Sequence, residues 1–337
     1  MQPHTSSSTD IVPLDSGYLG ECKRLLSAYP YKPYYYYPFI LNEALTDYML
    51  DQLTNLVKKE STWCFVIRVD GYTKGLMVCG KRAWETDVLG IEAGFVGPLI
   101  VDEIDSNSDR LRHILLEYAL DWLRRQGILH ITARLDVNEV KFLHLLEEVG
   151  FITVDGILHF SFDLRREGIS LMAVDPPSEI HCRLHRETDI PQLRNIAERA
   201  LVYDRFHSDP LIDPRIADQA YAQWIENSCH RLDDAVMVAI YENEPVGFMT
   251  LKINQRIKRF LGVTVGKIWL VAVAEHMRGQ GVGQQLMYHS LQWFFQHEVD
   301  IVEVGTQFRN AIGLKFYSRF GFVPINPVLA LRKMLRK

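Results

Sequence analysis

The sequence predicts an α/β protein with mixed sheets (an α+β arrangement), in which one unit occurs twice in tandem. Each half gives the same order of elements: a hairpin, a strand, a helix, a strand, a short helix and a strand. The copies also end alike, with EEVGF at 147–151 and SRFGF at 318–322. A chain of 337 residues exceeds the usual size of one hydrophobic core. We therefore expect two related domains.

Composition indicates where the two copies begin and end. Residues 1–16 are polar and contain a run of serine and threonine, which favours a disordered tail. The first copy is predicted at 17–166 and the second at 181–337. Residues 167–180, which include Pro176-Pro177, are predicted as the linker.

Hydrophobic periodicity and breaker residues place the elements of each copy. In the first copy we predict helices at 17–28, 42–59, 108–126 and 138–149, and strands at 62–70, 74–82, 93–101, 128–137 and 151–164. In the second we predict helices at 188–202, 215–227, 310–319 and directly after residue 283, and strands at 235–242, 244–252, 268–274, 300–306 and 328–333. The aromatic segment 29–38 contains three prolines, so it is predicted as a loop packed on the surface, with a binding face as the alternative.

Composition favours a soluble protein of a reducing compartment. Apolar residues make up 47% of the chain and charged residues 23%, and no apolar run approaches the ~18 residues of a membrane span. The first residues lack the basic and apolar regions of a signal peptide, and the five cysteines are scattered without a CxxC pair. We therefore predict a cytoplasmic protein with free thiols, no metal site and no membrane association.

The charge of the chain bears on its partners. The net charge of −5 argues against general nucleic-acid binding. The charge is unevenly distributed, because residues 181–337 carry 20 Lys and Arg against 16 Asp and Glu. The second copy therefore has a net positive charge, which suits a polyanionic ligand.

A glycine-rich turn follows the strand 268–274 and leads into an amphipathic helix. Its sequence from Arg278 to Gly283 is RGQGVG. Glycines let the backbone approach a ligand closely, and backbone N–H groups at a helix N-terminus favour phosphate. The turn is followed by Gln284-Gln285 rather than the Lys-Ser/Thr of a Walker loop, and its glycine spacing is one residue short of the dinucleotide fingerprint. Two interpretations of the turn therefore stay open: another kind of phosphate loop, or a flexible turn that binds no ligand.

The residues around this turn resemble the acetyl-CoA signature of the GNAT N-acetyltransferase superfamily. The pattern Arg278-x-x-Gly281-x-Gly283 matches its pyrophosphate loop, and Asn310 and Tyr317 follow at the family's spacing. The resemblance implies two tandem GNAT-like domains, acetyl-CoA as the donor, and Tyr317 as the catalytic proton donor to the departing sulfur. The residues that it implies in acetyl-CoA binding are Leu270, Val271, Val273, Arg278, Gly279, Gln280, Gly281, Val282, Gly283 and Asn310.

The first copy differs at the position of the phosphate loop. Residues 102–110, DEIDSNSDR, are acidic and contain no glycine. Such a segment would repel a pyrophosphate. We therefore predict that the N-terminal copy is degenerate and catalytically silent.

The acceptor is a small amine in this superfamily, and residues 187–227 resemble one subfamily more closely. That subfamily is the TDP-fucosamine N-acetyltransferases, which implies a nucleotide-linked aminodeoxy sugar as acceptor. Candidate residues for acceptor binding are Asp204, Arg205, His207, Tyr221, Trp224 and Glu303. Asp204, His207 and Glu303 are also candidates for the general base, and a water chain would serve equally well.

Several alternatives stay open at the level of the sequence. In the first alternative, the reaction is the same but the acceptor is another small amine, an amino acid, an antibiotic or a protein amine. In a different class, the protein is a sensor that binds acyl-CoA without turnover. The sequence also does not decide whether the chain forms a homodimer.

Overall fold

A computed structural model describes residues 8–15, 17–167, 179–231 and 234–335. The chain forms two compact units, Met1–Val154 together with Val328–Lys337, and Asp155–Pro327. Residues 1–7 of the predicted tail and 168–178 of the predicted linker lie outside the described residues. Within the described ranges, no helix has both the length and the apolar character needed to span a membrane.

The first unit is a six-stranded sheet with helices on both faces. Its elements are β1 (Thr9–Pro13), α1 (Leu19–Ala28), α2 (Asn42–Val57), β2 (Thr62–Val69), β3 (Tyr72–Lys81), α3 (Ala83–Leu89), β4 (Ala93–Val101), α4 (Ser108–Arg125), β5 (His130–Asp136) and α5 (Val140–Glu148). The strands follow one another from β1 to β5, and the end of the chain's last strand pairs beyond β5. Among the described strand pairs of this unit, only β4 and β5 run parallel.

The second unit has its own mixed sheet. The elements from residue 152 onward are β6 (Ile152–Asp163), α6 (Leu164–Glu167), β7 (His181–Leu184), α7 (Ile190–Ala200), α8 (Arg205–Ser208), α9 (Pro214–His230), β8 (Asp234–Tyr241), β9 (Glu244–Asn254), α10 (Lys258–Leu261), β10 (Val265–Val273), α11 (Val282–Gln296), β11 (Ile301–Gln307), α12 (Ala311–Arg319) and β12 (Val323–Met334). The strand order is β6-β11-β10-β9-β8-β7. Of these pairs, only β10 and β11 are parallel.

Two strands are exchanged relative to the predicted domains. Ile157–Asp163 of β6 pair with β11 and belong to the second unit, whereas Val328–Met334 of β12 pair with β5 and belong to the first. These units therefore differ from the predicted ranges 17–166 and 181–337. A strand pattern gives the period of the side chains and not the partner strand, so the sequences of β6 and β12 do not reveal the exchange.

Local structure of the first unit differs from the prediction in two places. Thr9–Pro13 lie in the predicted disordered tail, but they form β1 and pair antiparallel with β2. Ile11 and Val12 pack on opposite faces of the first unit, which gives this short strand apolar contacts to hold it. A helix at Ala83–Leu89, α3, was not predicted.

The strongly periodic elements are confirmed within a few residues of their predicted bounds. The aromatic segment 29–38 packs on the first unit as a loop without regular structure, as predicted. It is held by tyrosine hydroxyls, since Tyr29 donates to Glu139 Oε1 at 2.6 Å and Tyr35 donates to Asp136 Oδ2 at 2.7 Å. These tyrosines act as structural anchors in the first unit.

Helices α11 and α12 cover one face of the second sheet, and α7 and α9 cover the other. On the first face, Leu286, Leu291 and Phe294 of α11 pack against Ile268 and other strand residues. On the second face, apolar residues of α7 and α9 pack against residues of β8, β9 and β10, among them Leu270. The candidate site lies where β10 and β11 end between these layers.

Candidate active site

Strands β10 and β11 pair at one end only. Val265–Ile268 of β10 pair in parallel with Ile301–Val304 of β11. A bulge follows between Ile268 and Val271, and beyond it Val271–Val273 of β10 pair with β9. The two strands therefore part beyond Ile268 and Val304, and we call this opening the fork.

Backbone groups of β10 face the fork at alternate positions. The Leu270 N–H donates to Thr250 Oγ1 at 2.9 Å, and the Ala274 N–H donates to a carbonyl of β9 at 2.8 Å, so both point towards β9. Because successive N–H groups alternate sides along a strand, those of Val271 and Val273 point into the fork. The Leu270 N–H therefore bonds within the sheet, while the predicted contact of Leu270 with acetyl-CoA stays a prediction.

The glycine-rich loop after β10 has the backbone of a phosphate cradle. Gly279 and Gly281 have φ of +77° and +85°, a region that favours glycine. Gly281 precedes the first residue of α11, so the N–H groups of the first turn, beginning with Val282, have no carbonyl partner within the helix. Unpaired N–H groups and the positive end of the helix dipole both favour an anion at this point.

The space beside the loop is open enough for such an anion. A Cβ built on Gly279 would meet no atom within 4 Å. A cavity of about 360 Å³ lies on the α7 side of the loop, and its lining includes Gln192, Asn195, Arg199 and Arg278. Two guanidinium groups therefore line a cavity next to the loop, and guanidinium groups bind phosphate well.

The other loop residues position the loop. The Nε2 of Gln280 donates to the His276 carbonyl at 2.8 Å, and this hydrogen bond within the exposed turn stabilises its conformation. Val282 is buried in the core under α11. A Cβ on Gly283 would come within 3.3 Å of the Phe316 ring, so glycine at this position lets α11 and α12 pack closely.

Asn310 begins α12 at the end of β11. Its Oδ1 accepts a hydrogen bond from the Gly313 N–H at 2.9 Å, and its Nδ2 donates to Thr306 Oγ1 at 2.9 Å. These bonds fix the amide at the carboxyl end of β11, beside the fork. They show a capping role, while its predicted contact with acetyl-CoA stays a prediction.

Tyr317 lies on the α12 face of the sheet. Its side chain is buried, and its ring packs on Phe160 and Phe322 with centroid distances of 5.9 and 6.0 Å. Burial raises the pKa of the Tyr317 hydroxyl. The hydroxyl is therefore protonated at neutral pH, as a proton donor requires.

Asp204 and His207 form an ionic cluster with Asp218. Asp204 begins α8, where its Oδ1 accepts from the Phe206 N–H at 2.7 Å, and its Oδ2 contacts His207 Nδ1. His207 Nε2 lies 3.0 Å from Asp218 Oδ1 on α9. Hydrogen bonding to Asp204 is the main cause that raises the pKa of His207, and Asp218 adds to it. An imidazole with a carboxylate at each nitrogen holds its proton, so His207 is poorly suited to act as a base.

The raised pKa of His207 predicts a pH dependence of this cluster. The pKa of His207 in the folded protein lies above its ordinary value of 6.5. The ion pairs of protonated His207 therefore stabilise the folded protein fully below pH 6.5, and this stabilisation is lost as the pH rises through the folded-state pKa. Asp218→Asn is expected to lower the His207 pKa and to reduce this dependence. NMR titration of the His207 ring and thermal unfolding on both sides of the midpoint measure the two effects.

Asp213→Asn is the matched control for that prediction. Asp213 caps α9 and pairs with Arg215, so it lies in the same segment but does not contact His207. Asparagine is also a good capping residue, so this change should leave the titration of His207 unmoved. An equal midpoint in wild type and Asp218→Asn would contradict the assigned role of Asp218.

Aromatic rings form a row from α8 to the sheet. The His207 ring stacks on Tyr221 at 6.3 Å between centroids, Tyr221 stacks on Trp224 at 6.0 Å, and Trp224 meets Trp269 of β10 at 6.3 Å. Trp269 is 50% exposed and lies within the bulge of β10, at the start of the fork. We call these four rings the aromatic row.

Glu303 lies on β11, apart from the α8–α9 candidates in sequence. It is buried, and its Oε2 is 3.2 Å from Lys267 Nζ, its cross-strand neighbour on β10. Glu303 is therefore a paired carboxylate near the fork.

In the first unit, the segment at the position of the loop forms ion pairs with arginine and lysine side chains of the same unit. Asp102 is 3.0 Å from an Arg24 nitrogen and 3.2 Å from Lys74 Nζ. Arg112, which is buried, pairs with Glu103. Residues 102–110 are thus held by basic side chains of the same unit and contain no glycine that could open a cradle.

The structure places the predicted residues in three groups. The loop follows β10, Asn310 follows β11 and Tyr317 lies on α12. Glu303 lies on β11, and the remaining acceptor candidates, including Arg205, lie at α8 and on α9. Trp269 links the last group to β10 and was not predicted, because a tryptophan in an apolar run has the pattern of a core residue. Among the described residues, no three His, Cys, Asp or Glu side chains are grouped as a metal site.

Comparison with known families defines the class of this domain. The family model described as the acetyltransferase (GNAT) family matches residues 193–322. This range contains the fork, the loop, Asn310 and Tyr317. The chain therefore carries a GNAT acetyltransferase domain in these residues, which supports an acetyltransferase. The resemblance predicted from the loop and α12 is confirmed.

Individual relatives support the same class. Over 193 residues, 57% of this chain and 75% of the relative, the chain is 28% identical to the dTDP-fucosamine acetyltransferase of Escherichia coli O6:H1 (strain CFT073). Two solved structures share its fold at 14% identity. One is a tandem GNAT protein from the clavulanic acid biosynthesis pathway, with a TM-score of 0.64 over 97% of this chain and 98% of that one. The other is a GCN5-related N-acetyltransferase from Sphaerobacter thermophilus, with a TM-score of 0.65 over 98% and 96%. The predicted tandem fold is confirmed.

Proposed function

We propose that the protein transfers the acetyl group of acetyl-CoA to a primary amine by direct attack on the thioester. The observation that carries this proposal is the fork, into which the backbone N–H groups of Val271 and Val273 point. It adjoins a loop with an open phosphate cradle at one end and the buried Tyr317 on one face. These parts suit the acyl arm, the diphosphate and the sulfur of acetyl-CoA respectively.

The residues of the chain have distinct roles in this reaction. Acetyl-CoA supplies the acetyl group as a thioester, whose C–S bond breaks as the C–N bond forms. The N–H groups of Val271 and Val273 can donate to the carbonyl oxygen as negative charge develops on it. Tyr317 donates its proton to the departing sulfur. Asn310, fixed by its two hydrogen bonds, can donate its second amide N–H to the acyl arm.

A covalent acyl-enzyme is not required. Burial raises the pKa of the Cys182 and Cys229 thiols to about 12, so neither is a thiolate at neutral pH. Direct attack by the amine is therefore the simpler route. The five cysteines are free, which supports a reducing compartment such as the cytoplasm.

We propose a nucleotide-linked aminodeoxy sugar as the acceptor. The name of the Escherichia coli relative supports this choice. The exposed ring of Trp269 offers a flat apolar surface to a pyranose or a base, since aromatic side chains contact such ligands through their faces. The guanidinium groups of Arg199 and Arg278 line a cavity on the same side of the sheet as α7, which suits a ligand that carries phosphate.

A panel assay tests both parts of the proposal. Purified protein is incubated with acetyl-CoA and with TDP-4-amino sugars, free amino sugars, amino acids, aminoglycosides or a lysine peptide, and free thiol is measured. Thiol release that is greatest with a TDP-4-amino sugar is expected. Release with another amine alone would replace the acceptor and keep the reaction. Tight binding of acetyl-CoA without release for any amine would instead favour an acyl-CoA sensor.

Trp269→Ala is expected to raise the KM for the acceptor about fivefold, with the affinity for acetyl-CoA nearly unchanged. The KM rises because the acceptor loses contact with the one ring of the aromatic row that is proposed to bind it. Phe295→Ala is the matched control, because Phe295 is 53% exposed at the end of α11, on the opposite face of the sheet. Steady-state kinetics with both substrates varied measure the effect, and equal KM values for both variants would remove Trp269 from acceptor binding.

A further inference from the structure

One threonine of β9 lies opposite the bulge at the start of the fork. Between the paired positions Ile268 and Val271, β10 contains two residues, whereas the facing stretch of β9 contains one, Thr250. The two residues of β10 are Trp269 and Leu270. Such an arrangement moves every later residue of β10 by one position relative to β9. Thr250 is therefore the residue of β9 that faces the extra length of β10.

The side chain of Thr250 forms a hydrogen bond with the backbone of the bulge. Its Oγ1 accepts from the Leu270 N–H at 2.9 Å. Thr250 is only 2% exposed, and Leu270 is also buried. A buried N–H that loses its acceptor costs free energy, because water does not reach it as a substitute. The hydroxyl of Thr250 therefore stabilises the bulge in its observed conformation.

This bond bears on the direction of the N–H groups beyond the bulge. The Leu270 N–H points to Thr250, and the Ala274 N–H points to a carbonyl of β9 at 2.8 Å. Successive N–H groups of a strand point to opposite sides, so those of Val271 and Val273 point away from β9 and into the fork. Leu270 is the first residue of this series, so its bond sets the alternation for the rest of the strand.

A strand without the bulge would present a different set of N–H groups to the fork. Because these groups alternate, a shift of one position reverses which of them face β9. The N–H groups of Val271 and Val273 would then bond within the sheet and could not donate to a ligand in the fork. The bulge thus turns two donors towards the place where the thioester carbonyl is proposed to bind.

We propose that Thr250 is a positioning residue for the acetyl transfer, an inference that rests on the proposed function. Its hydroxyl holds the Leu270 N–H towards β9 and thereby keeps the N–H groups of Val271 and Val273 directed at the carbonyl oxygen of the thioester. Thr250 acts through the backbone of β10 and not by contact with the reacting atoms. Its contribution is expected in kcat, because negative charge develops on that oxygen during the reaction.

Thr250→Val and Thr250→Ser separate this role from a role in packing. Valine keeps the branched shape and loses the hydroxyl, whereas serine keeps the hydroxyl and loses a methyl group. We expect kcat of Thr250→Val to fall about 10- to 100-fold, while the Kd for acetyl-CoA in calorimetry stays within about threefold of wild type. Thr250→Ser is expected to keep kcat within about threefold of wild type, although the lost methyl group lowers its melting temperature.

An infrared measurement tests the two donors directly and does not require an acceptor. Acetyl-CoA with an isotope label at the acetyl carbonyl carbon is bound to each variant, and the stretching band of that carbonyl is measured. Hydrogen bonds from backbone N–H groups polarise a carbonyl and lower its stretching frequency. We expect a shift to lower frequency on binding to wild type and to Thr250→Ser, and a smaller shift on binding to Thr250→Val.

Thr264→Val is the matched control. Thr264 directly precedes β10 and is as buried as Thr250, and no hydrogen-bond partner of its Oγ1 is found among the described residues. The same exchange of a hydroxyl for a methyl group should therefore leave kcat and the carbonyl band as in wild type.

Three results would each overturn the role of Thr250 and leave the proposed function standing. They are wild-type kcat in Thr250→Val, an equal loss of kcat in Thr250→Ser, and equal band shifts in wild type and Thr250→Val. Absence of thiol release from the wild type with every amine would overturn the proposed function and this inference together.

Discussion

Replacement of Tyr317 by phenylalanine is expected to lower turnover by about 10²-fold or more and to leave the affinity for acetyl-CoA nearly unchanged. Phenylalanine keeps the ring that packs on Phe160 and Phe322, so the core under α12 is preserved. Only the hydroxyl is lost. Because burial raises the pKa of that hydroxyl, it holds its proton until the sulfur carries negative charge, and without it the thiolate must leave unprotonated.

Tyr241→Phe provides the control for the loss of a hydroxyl. Tyr241 packs against the same apolar core, but it lies on β8, which β9 separates from β10. The two variants are compared in kcat, in acetyl-CoA affinity by calorimetry and in thermal unfolding. Wild-type turnover in Tyr317→Phe would remove the hydroxyl from the mechanism, whereas an equal loss in Tyr241→Phe would point to a general effect on the core.

The parts of the site that are local in sequence could be predicted. The strand β10, the loop and α11 follow one another directly, and glycine positions mark the turn between them. Gly279 and Gly281 do have the positive φ that the turn requires. Asn310 and Tyr317 became candidates through the resemblance to the GNAT signature, which is also local, because it consists of a helix start and a residue two turns later.

The parts that depend on pairing between distant strands could not be predicted. Val271 and Val273 face the fork only because β10 has a bulge that resets its alternation, and no residue in the sequence marks that bulge. β6 belongs by sequence to the last strand of the first copy, and its place beside β11 follows from the exchange of this strand into the second unit. A strand pattern gives the period of the side chains but not the partner.

The acceptor candidates illustrate a different limit. The sequence brings Asp204 and His207 to attention as polar residues in a loop, where catalytic groups often lie. Their chemistry, however, is decided by contacts that the fold makes, because Asp204 and, to a smaller extent, Asp218 on the next helix raise the pKa of His207. A residue's role in proton transfer depends on the partner of each ring nitrogen, and that partner is set by the fold.

Gly279→Ala is expected to weaken acetyl-CoA binding about 10- to 100-fold, which is about 1.4 to 2.8 kcal/mol. Gly279 has a φ of +77°, and a Cβ there meets no protein atom within 4 Å, so the methyl group would project into the open space of the cradle. It would crowd the diphosphate proposed to bind there. Isothermal titration of acetyl-CoA measures the change in Kd directly and does not require an acceptor.

Gly262→Ala separates this crowding from backbone strain. Gly262 ends α10 with a φ of +70°, and a Cβ there also meets nothing within 4 Å, so both substitutions impose a similar strain of about 1–2 kcal/mol. Gly262 precedes β10 and Gly279 follows it, which separates the two by the length of a nine-residue strand. Both variants should therefore lose similar thermal stability, but only Gly279→Ala should lose affinity for acetyl-CoA. Equal affinities in the two variants would show that the loop does not hold the diphosphate, and the donor would then have to bind elsewhere along the fork.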